Sequence, residues 1–294
     1  MWYIIVNDFE EFVSPVKLNL FLEVINKSND GYHNLESLMT FCKFGDLIKI
    51  KKSDKFEFSI HGPFSKNLSI KNNIILDAVS LLEKFLNLKF NVEIILIKNL
   101  PISSGMGGGS SNAATIIHCL ENLYNFNINE EDLNFLLFSL GADVPFCYHR
   151  KTAIVRGKGE KISFLTHKLL ELPVILINPL IEISTKQIFE NLVLSRNKRE
   201  NSLKKNINSE NFFSYLYKRR NDLQDSAEKI CPKIKEVNDF LQQKTKTKFV
   251  RMTGSGATCF GIYENKDDAI SAENLLREKF KKMWIKRTQI INNL

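Results

Sequence analysis

The sequence predicts a two-domain chain of mixed α and β structure (α+β), and three observations carry that prediction. Lys17–Ile25 alternates at the two-residue period of a strand with one buried face. Leu18, Leu20, Leu22 and Val24 fall on one side, and Lys17, Asn19, Phe21 and Glu23 on the other. A strand at Val92–Ile97 runs through a glycine-rich loop into a helix at Ser110–Tyr124. After Gly157–Gly159 the texture changes to mostly helical segments around short strands. The 294 residues suffice for one large or two medium domains. The change of texture near 155–165 divides them into 1–160 and 161–294.

Short β-rich pieces follow the first strand at Leu47–Ile50 and Phe56–Ile60. Ile74, Ile75, Ala78, Leu81, Leu82 and Phe85 recur at helical spacing, which predicts a helix over Asn73–Asn87. Asn129 caps a further helix that runs to Ser139 and stops at Gly141. The second half begins with a strand at Val174–Asn178, followed by helices at Thr185–Leu192, Asp222–Lys229 and Pro232–Gln243. Strands at Phe249–Met252 and Thr258–Tyr263 flank a second glycine turn, Gly254-Ser255-Gly256, and an amphipathic helix covers Asp267–Phe280. The polar, charged stretch Ser195–Ser209 reads as a loop or a poorly ordered segment.

Composition narrows the function classes. Hydrophobic residues make up 44% and charged residues 25%, the balance of a globular chain with a core. No apolar run approaches the ~18 residues that span a bilayer, so no membrane partner is expected. Met1–Val6 is apolar but brief and runs into Asn7, Asp8, Glu10 and Glu11, so no signal peptide is expected either. The five cysteines (Cys42, Cys119, Cys147, Cys231, Cys259) are widely spaced and include no C-x-x-C pair. That argues against a zinc site or disulfide framework and for buried thiols in a reducing cytoplasm. The net charge of +8 gathers in runs such as Arg196–Lys205, Lys218–Arg220 and Lys244–Lys248. Polar residues interleave them, so they read mainly as solvated faces with a general attraction for a polyphosphate. No nucleic-acid partner is expected, and the chain is taken as a monomer or weak homodimer.

The stretch Pro101–Ala114, P-I-S-S-G-M-G-G-G-S-S-N-A-A, is the most informative. Gly105, Gly107, Gly108 and Gly109 let the backbone approach a ligand closely. Ser110 and Ser111 are expected to cap the following helix, whose N-terminal amides and dipole favour an anion. No lysine follows Gly109, which excludes the P-loop, and G-x-G-G-G is not the dinucleotide fingerprint. The bland alternative is a flexible surface loop. Phosphoryl transfer needs more than a cradle: a cation near the transferring group and a residue for the acceptor hydroxyl. Lys17 and Asn19 share the polar side of a strand, where a lysine can equally be a solvent-facing charge. Asp143, in Gly141-Ala142-Asp143-Val144-Pro145-Phe146, is either a structural cap or a buried carboxylate with a task. Thr253-Gly254-Ser255-Gly256-Ala257 is a second backbone-donor turn or a plain hairpin.

Together, the Lys17 strand, the glycine loop and the T-G-S-G-A-T segment at Thr253–Thr258 resemble the GHMP kinase superfamily. Asp30-Gly31-Tyr32-His33-Asn34-Leu35, Gly141–Phe146 and Asn221-Asp222-Leu223 are similar to the member that phosphorylates a cytidine-diphosphate-linked methylerythritol. The likeness spans about residues 14–265, with Val16 where many relatives have alanine and Met106 where leucine is usual. It implies a ribosomal S5 domain 2-like N-terminal domain and a ferredoxin-like C-terminal domain, with ATP in the cleft between them. Pro101, Gly105, Gly107, Gly108, Gly109, Ser110 and Ser111 would form the ATP cradle. Asp143 would take the proton of the acceptor hydroxyl, and Lys17 would keep Asp143 as carboxylate and stabilise the transferring phosphoryl group. Asn19 would orient the acceptor. Tyr32, His33 and, on a looser local match, Phe189 would recognise cytosine. Mg²⁺ would be held mostly by ATP oxygens and water, with Ser111 near it. A homoserine- or mevalonate-type kinase is the nearest alternative, and a basic RNA-binding protein the more distant one.

Overall fold

The structure, a computed structural model, describes residues 3–6, 8–29, 31–66, 68–192 and 207–292. Asp30 and most of the expected loop Ser195–Ser209, including Arg196, Lys198, Arg199, Lys204 and Lys205, lie outside the described residues. The first half builds β1 (Tyr3–Val6), β2 (Phe9–Lys27), β3 (His33–Lys52), β4 (Glu57–His61), α1 (Ile74–Leu86), β5 (Val92–Ile97), α2 (Gly108–Tyr124), α3 (Glu130–Leu140), α4 (Val144–His149), β6 (Ala153–Gly157) and β7 (Lys161–Phe164). The second half builds β8 (Pro173–Asn178), α5 (Thr185–Glu190), α6 (Phe212–Tyr217), α7 (Gln224–Ile230), α8 (Lys233–Lys244), β9 (Phe249–Met252), β10 (Cys259–Ile262), α9 (Lys266–Lys279) and β11 (Trp284–Ile291).

A single sheet path, β1-β2-β3-β11-β8-β10-β9, joins the halves, with β5 and β6 also paired to β3, β4 to β5, and β7 to β6. The expected boundary at 160 falls in the turn of the β6–β7 hairpin. In the second half helices α5 to α8 separate β8 from β9, β9 and β10 follow each other directly, α9 lies between β10 and β11, and the sheet order is β11-β8-β10-β9. β11 was not foreseen, because Lys286, Arg287 and Gln289 dilute its apolar pattern. It pairs with β8 over Trp284–Gln289 and with β3 through Ile290 and Ile291.

The first strand is longer than its alternation predicts, and it is buried on both faces. Ser14–Val24 are all buried. Register shifts between Pro15/Lys17, Asn19/Phe21 and Val24/Asn26 reset the two-residue period, so one 19-residue strand reads as a shorter one. Val16, Leu18, Leu20 and Phe21 pack in one core cluster with Leu176 and Phe260. Leu22 and Val24 pack in another with Ile175, Ile234 and Tyr263 of the second half. The polar side of β2 is therefore interior too. A third cluster fills the space between β3, β5 and helices α1 to α4.

Five free cysteines are all buried, and burial pushes the thiols of Cys42, Cys119, Cys147 and Cys259 up. Among the described residues no helix is long and apolar enough to cross a membrane.

Arg251 on β9 staples the halves together. Its guanidinium donates to the carbonyls of Leu20 (2.8 Å), Leu216 (3.3 Å) and Arg219 (2.5 Å), and burial lowers its pKa to about 10. Arg251→Met should cost about 3 kcal/mol, because buried carbonyls lose their donor. Chemical denaturation checks this, and an unchanged midpoint would refute the staple.

Candidate active site

The glycine loop is set by backbone conformation before any side chain acts. Gly105 and Gly107 hold φ of +74° and +66°, in the left-handed region. Gly107 is also the N-cap of α2 and makes no side-chain cap bond. The expected serine cap is therefore corrected: Ser110 and Ser111 lie inside the first turn, and the Ser111 N–H already donates to Gly107 O (2.8 Å). A left-handed cap favours glycine, and the amides of Gly108, Gly109 and Ser110, ahead of that first bond, have no intrahelical acceptor.

β2 is bound directly to this loop. The Lys17 N–H donates to Met106 O (3.0 Å), and a Cβ on Gly107 would lie 2.9 Å from Lys17 Cε. The lysine stem thus packs on the glycine. Its ammonium is buried and reaches Asp143 Oδ2 (3.0 Å) and Asn19 Oδ1 (2.8 Å). Asn19 is held in turn, donating through Nδ2 to Ser37 Oγ (2.8 Å) and through its backbone N–H to Thr253 Oγ1 (2.9 Å). Lys17 is therefore an interior group in a fixed network, not a solvent-facing charge.

Asp143 occupies the N-cap position of α4 and makes no side-chain cap bond there. Its carboxylate turns to Lys17 instead and stays about a third exposed, at 34%. Gly159 packs behind it: a Cβ there would sit 2.4 Å from Ala142 O, so the β6–β7 turn backs the segment. The second glycine turn closes the other side. Asn221 Nδ2 donates to Met252 O (2.9 Å) and Gly254 O (2.8 Å), and Gly256 N donates to Thr253 O (3.0 Å).

A cleft of about 890 Å³ brings most of these residues together. Lys17, Asn19, Tyr32, His33, Gly105, Gly107, Ser110, Asp143 and Phe189 all line it. Of the other expected site residues, Pro101 and Ser111 are buried and Gly108 and Gly109 begin α2, and none of these four lines the cleft. His33 and Phe189 stack at 4.9 Å with 22° between their planes. Tyr32 is 64% exposed, with the Lys158 ammonium 4.8 Å over its ring. Burial, and then the charge of Lys27, lower the pKa of His33 below its ordinary value of 6.5.

The family model for the N-terminal domain of GHMP kinases matches residues 73–151, and that for their C-terminal domain matches 190–282. The chain belongs to the GHMP kinases. As a GHMP kinase it is a phosphotransferase that takes ATP as donor and an alcohol as acceptor. A 4-diphosphocytidyl-2-C-methyl-D-erythritol kinase of Chelativorans sp. (strain BNC1) is 37% identical over 281 residues, spanning 95% of each chain. The enzyme of that name from Agrobacterium fabrum is 39% identical over 281 residues, covering 90% of this chain and 91% of its own. A crystal structure of 4-(cytidine 5'-diphospho)-2C-methyl-D-erythritol kinase superposes with a TM-score of 0.76 at 27% identity, covering 95% of this chain and 98% of the other. Homoserine kinase from Cytophaga hutchinsonii shares the fold, with a TM-score of 0.73 at 15% identity over 100% of this chain and 98% of its own.

This GHMP kinase also has site residues that its motifs do not mark. Lys27, Lys158 and Lys186 line the same cleft and add positive charge to it. They lie in unrelated segments, and no spacing connects them. Among the described residues no group of three His, Cys, Asp or Glu could hold a metal. Ser111 Oγ is buried without a hydrogen-bond partner, an oxygen donor of the kind Mg²⁺ takes.

Proposed function

We propose that this chain transfers the γ-phosphoryl group of ATP to the 2-hydroxyl of 4-diphosphocytidyl-2-C-methyl-D-erythritol. The Lys17–Asp143 ion pair at 3.0 Å, packed against Gly107, carries the reading. It sets a carboxylate and an ammonium beside a loop whose amides suit phosphate. Asp143 accepts the proton of the acceptor hydroxyl as its oxygen bonds to the γ-phosphorus and the bond from that phosphorus to the ADP oxygen breaks, and Lys17 offsets charge on the phosphoryl oxygens. Asn19 fixes Lys17 and orients the acceptor. The cradle from Pro101 through Ser111 would hold the ATP phosphates, and Mg²⁺, which would neutralise phosphate charge, would be held mostly by ATP oxygens and water with Ser111 near it.

Tyr32, His33 and Phe189 read the cytosine, with aromatic faces for stacking worth roughly 1–3 kcal/mol per base. The S5 domain 2-like and ferredoxin-like assignments go with this reading. The second is supported by the sheet order β11-β8-β10-β9, with helices α5 to α8 between β8 and β9 and α9 between β10 and β11. The monomer or weak homodimer and the cytoplasmic location stand as parts of the same proposal. ADP release measured with this acceptor, and with homoserine and mevalonate in parallel, tests it. Turnover with homoserine or mevalonate but not with the cytidine-linked acceptor would refute the assignment.

A pH dependence follows from His33. Its folded-state pKa is lowered, so the neutral imidazole is favoured and any stability it contributes is lost as pH falls through that value. Below about pH 6.5 the acceptor KM should therefore rise on acidification, while the ATP KM stays flat. His33→Gln should remove that dependence, and its persistence in the variant would assign it elsewhere.

A further inference from the structure

The glycine loop is fastened at both ends to one buried carboxylate that the chemistry above does not use. Asp46 on β3 is fully buried. Its Oδ1 accepts from the backbone N–H groups of Asn99 (2.8 Å) and Leu100 (2.9 Å), directly before Pro101 at the leading end of the loop. Its Oδ2 accepts from Lys98 Nζ (2.5 Å) and from Asn112 Nδ2 (3.1 Å), on α2 at the trailing end. Asn112 Oδ1 has no hydrogen-bond partner, so Asp46 alone orients that amide. A Cβ on Gly108 would lie 3.2 Å from Lys98 Nζ and 3.6 Å from Asp46 Oδ2. The first helical residue of the cradle therefore rests on the ion pair.

We propose that Asp46 is a positioning residue for the phosphate donor, clasping the two ends of the loop so that its amides keep the spacing phosphate needs. The proposal rests on the reading of Pro101–Ser111 as the ATP cradle. Burying an ion pair costs desolvation that apolar packing would avoid, so such a pair adds little stability. What it adds here is geometry. One carboxylate with four donors is a rigid node, and these donors come from the two segments whose separation sets the loop. A core role alone would need no such division between the ends.

The test uses Asn112→Ala, which frees only the trailing end and leaves three of the four bonds, and Asp46→Asn, which keeps the shape and removes the charge. Direct equilibrium binding of ATP is measured well below melting, beside the KM of the cytidine-linked acceptor. Asn112→Ala should weaken ATP binding at least ~10-fold with the acceptor KM within ~2-fold. Combining it with Asp46→Asn should add little beyond the Asp46→Asn effect, because the residues act as one unit. Unchanged ATP affinity in a folded Asn112→Ala protein overturns the clasp, even if its Tm falls, and so does equal weakening of ATP and acceptor. Should Asp46→Asn fail to fold, Asn112→Ala decides alone. Wild-type protein that binds no ATP would overturn the cradle reading and the clasp's role with it.

Discussion

Asp143→Asn is expected to lower kcat about 10²–10⁴-fold, the range a positioned general base supplies, and to leave ATP binding intact. The fold should tolerate it: Asp143 sits at an N-cap without using its side chain as a cap, and its carboxylate is partly exposed. Lys17 also keeps Asn19 as a partner at 2.8 Å, so the ammonium is not orphaned. The amide retains shape and polarity but cannot accept the hydroxyl proton. The magnitude discriminates between two roles. Phosphoryl transfer through a loose transition state leaves little covalent work for the protein, and much of the catalysis comes from placement and charge. A loss of only ~10-fold, below the general-base range, would mean that Asp143 orients the hydroxyl without removing its proton. Near-normal turnover would remove it from the mechanism. Single-turnover phosphotransfer, with ATP affinity measured separately, distinguishes these outcomes.

The parts of the site that were legible in the sequence are those whose physics is local. Gly105–Gly109 mark a close backbone approach by composition alone, and Lys17 and Asn19 share a face by the strand period. The sequence leaves Asp143 between cap and catalyst, and the structure explains the ambiguity: it holds the cap position while its side chain serves Lys17. Asp46 and Lys98 were not legible. Their bond joins positions 52 residues apart, and the Asn112 bond spans 66. An isolated aspartate before a β-rich stretch carries no pattern that reveals such partners. The serine cap failed for a related reason. Side-chain preference points to serine, but the turn demands a positive φ that glycine meets at less cost. The length of β2 was hidden by its bulges. Its buried polar face could be recognised only once the second half, with Thr253, had been placed against it.

Gly105→Ala and Gly109→Ala should separate sharply, although they make the same change in the same loop. At Gly105 the φ of +74° costs an alanine about 1–2 kcal/mol. The added Cβ would also lie 2.4 Å from Thr253 O and 2.8 Å from Gly256 O. Those are backbone atoms of the second glycine turn, and that turn cannot retreat easily. Thr253 N–H is bonded to Thr258 O (2.9 Å), and Asn221 holds Met252 O and Gly254 O from the other side. The strain must therefore move the glycine loop away from Lys17. The expected result is a fall in kcat/KM of at least ~10²-fold, since a displacement of about 1 Å costs that much, together with a Tm loss of several degrees. Gly109, inside α2, meets only Ile74 Cγ2 at 3.8 Å and has no left-handed φ. Alanine there relieves a helical glycine of its entropic penalty and should be neutral to stabilising by up to about 1 kcal/mol. Paired melting curves and initial rates for the two variants measure the contrast. If both lose Tm alike, the whole loop resists any added methyl, and the seam between the two glycine turns is not what sets the cradle.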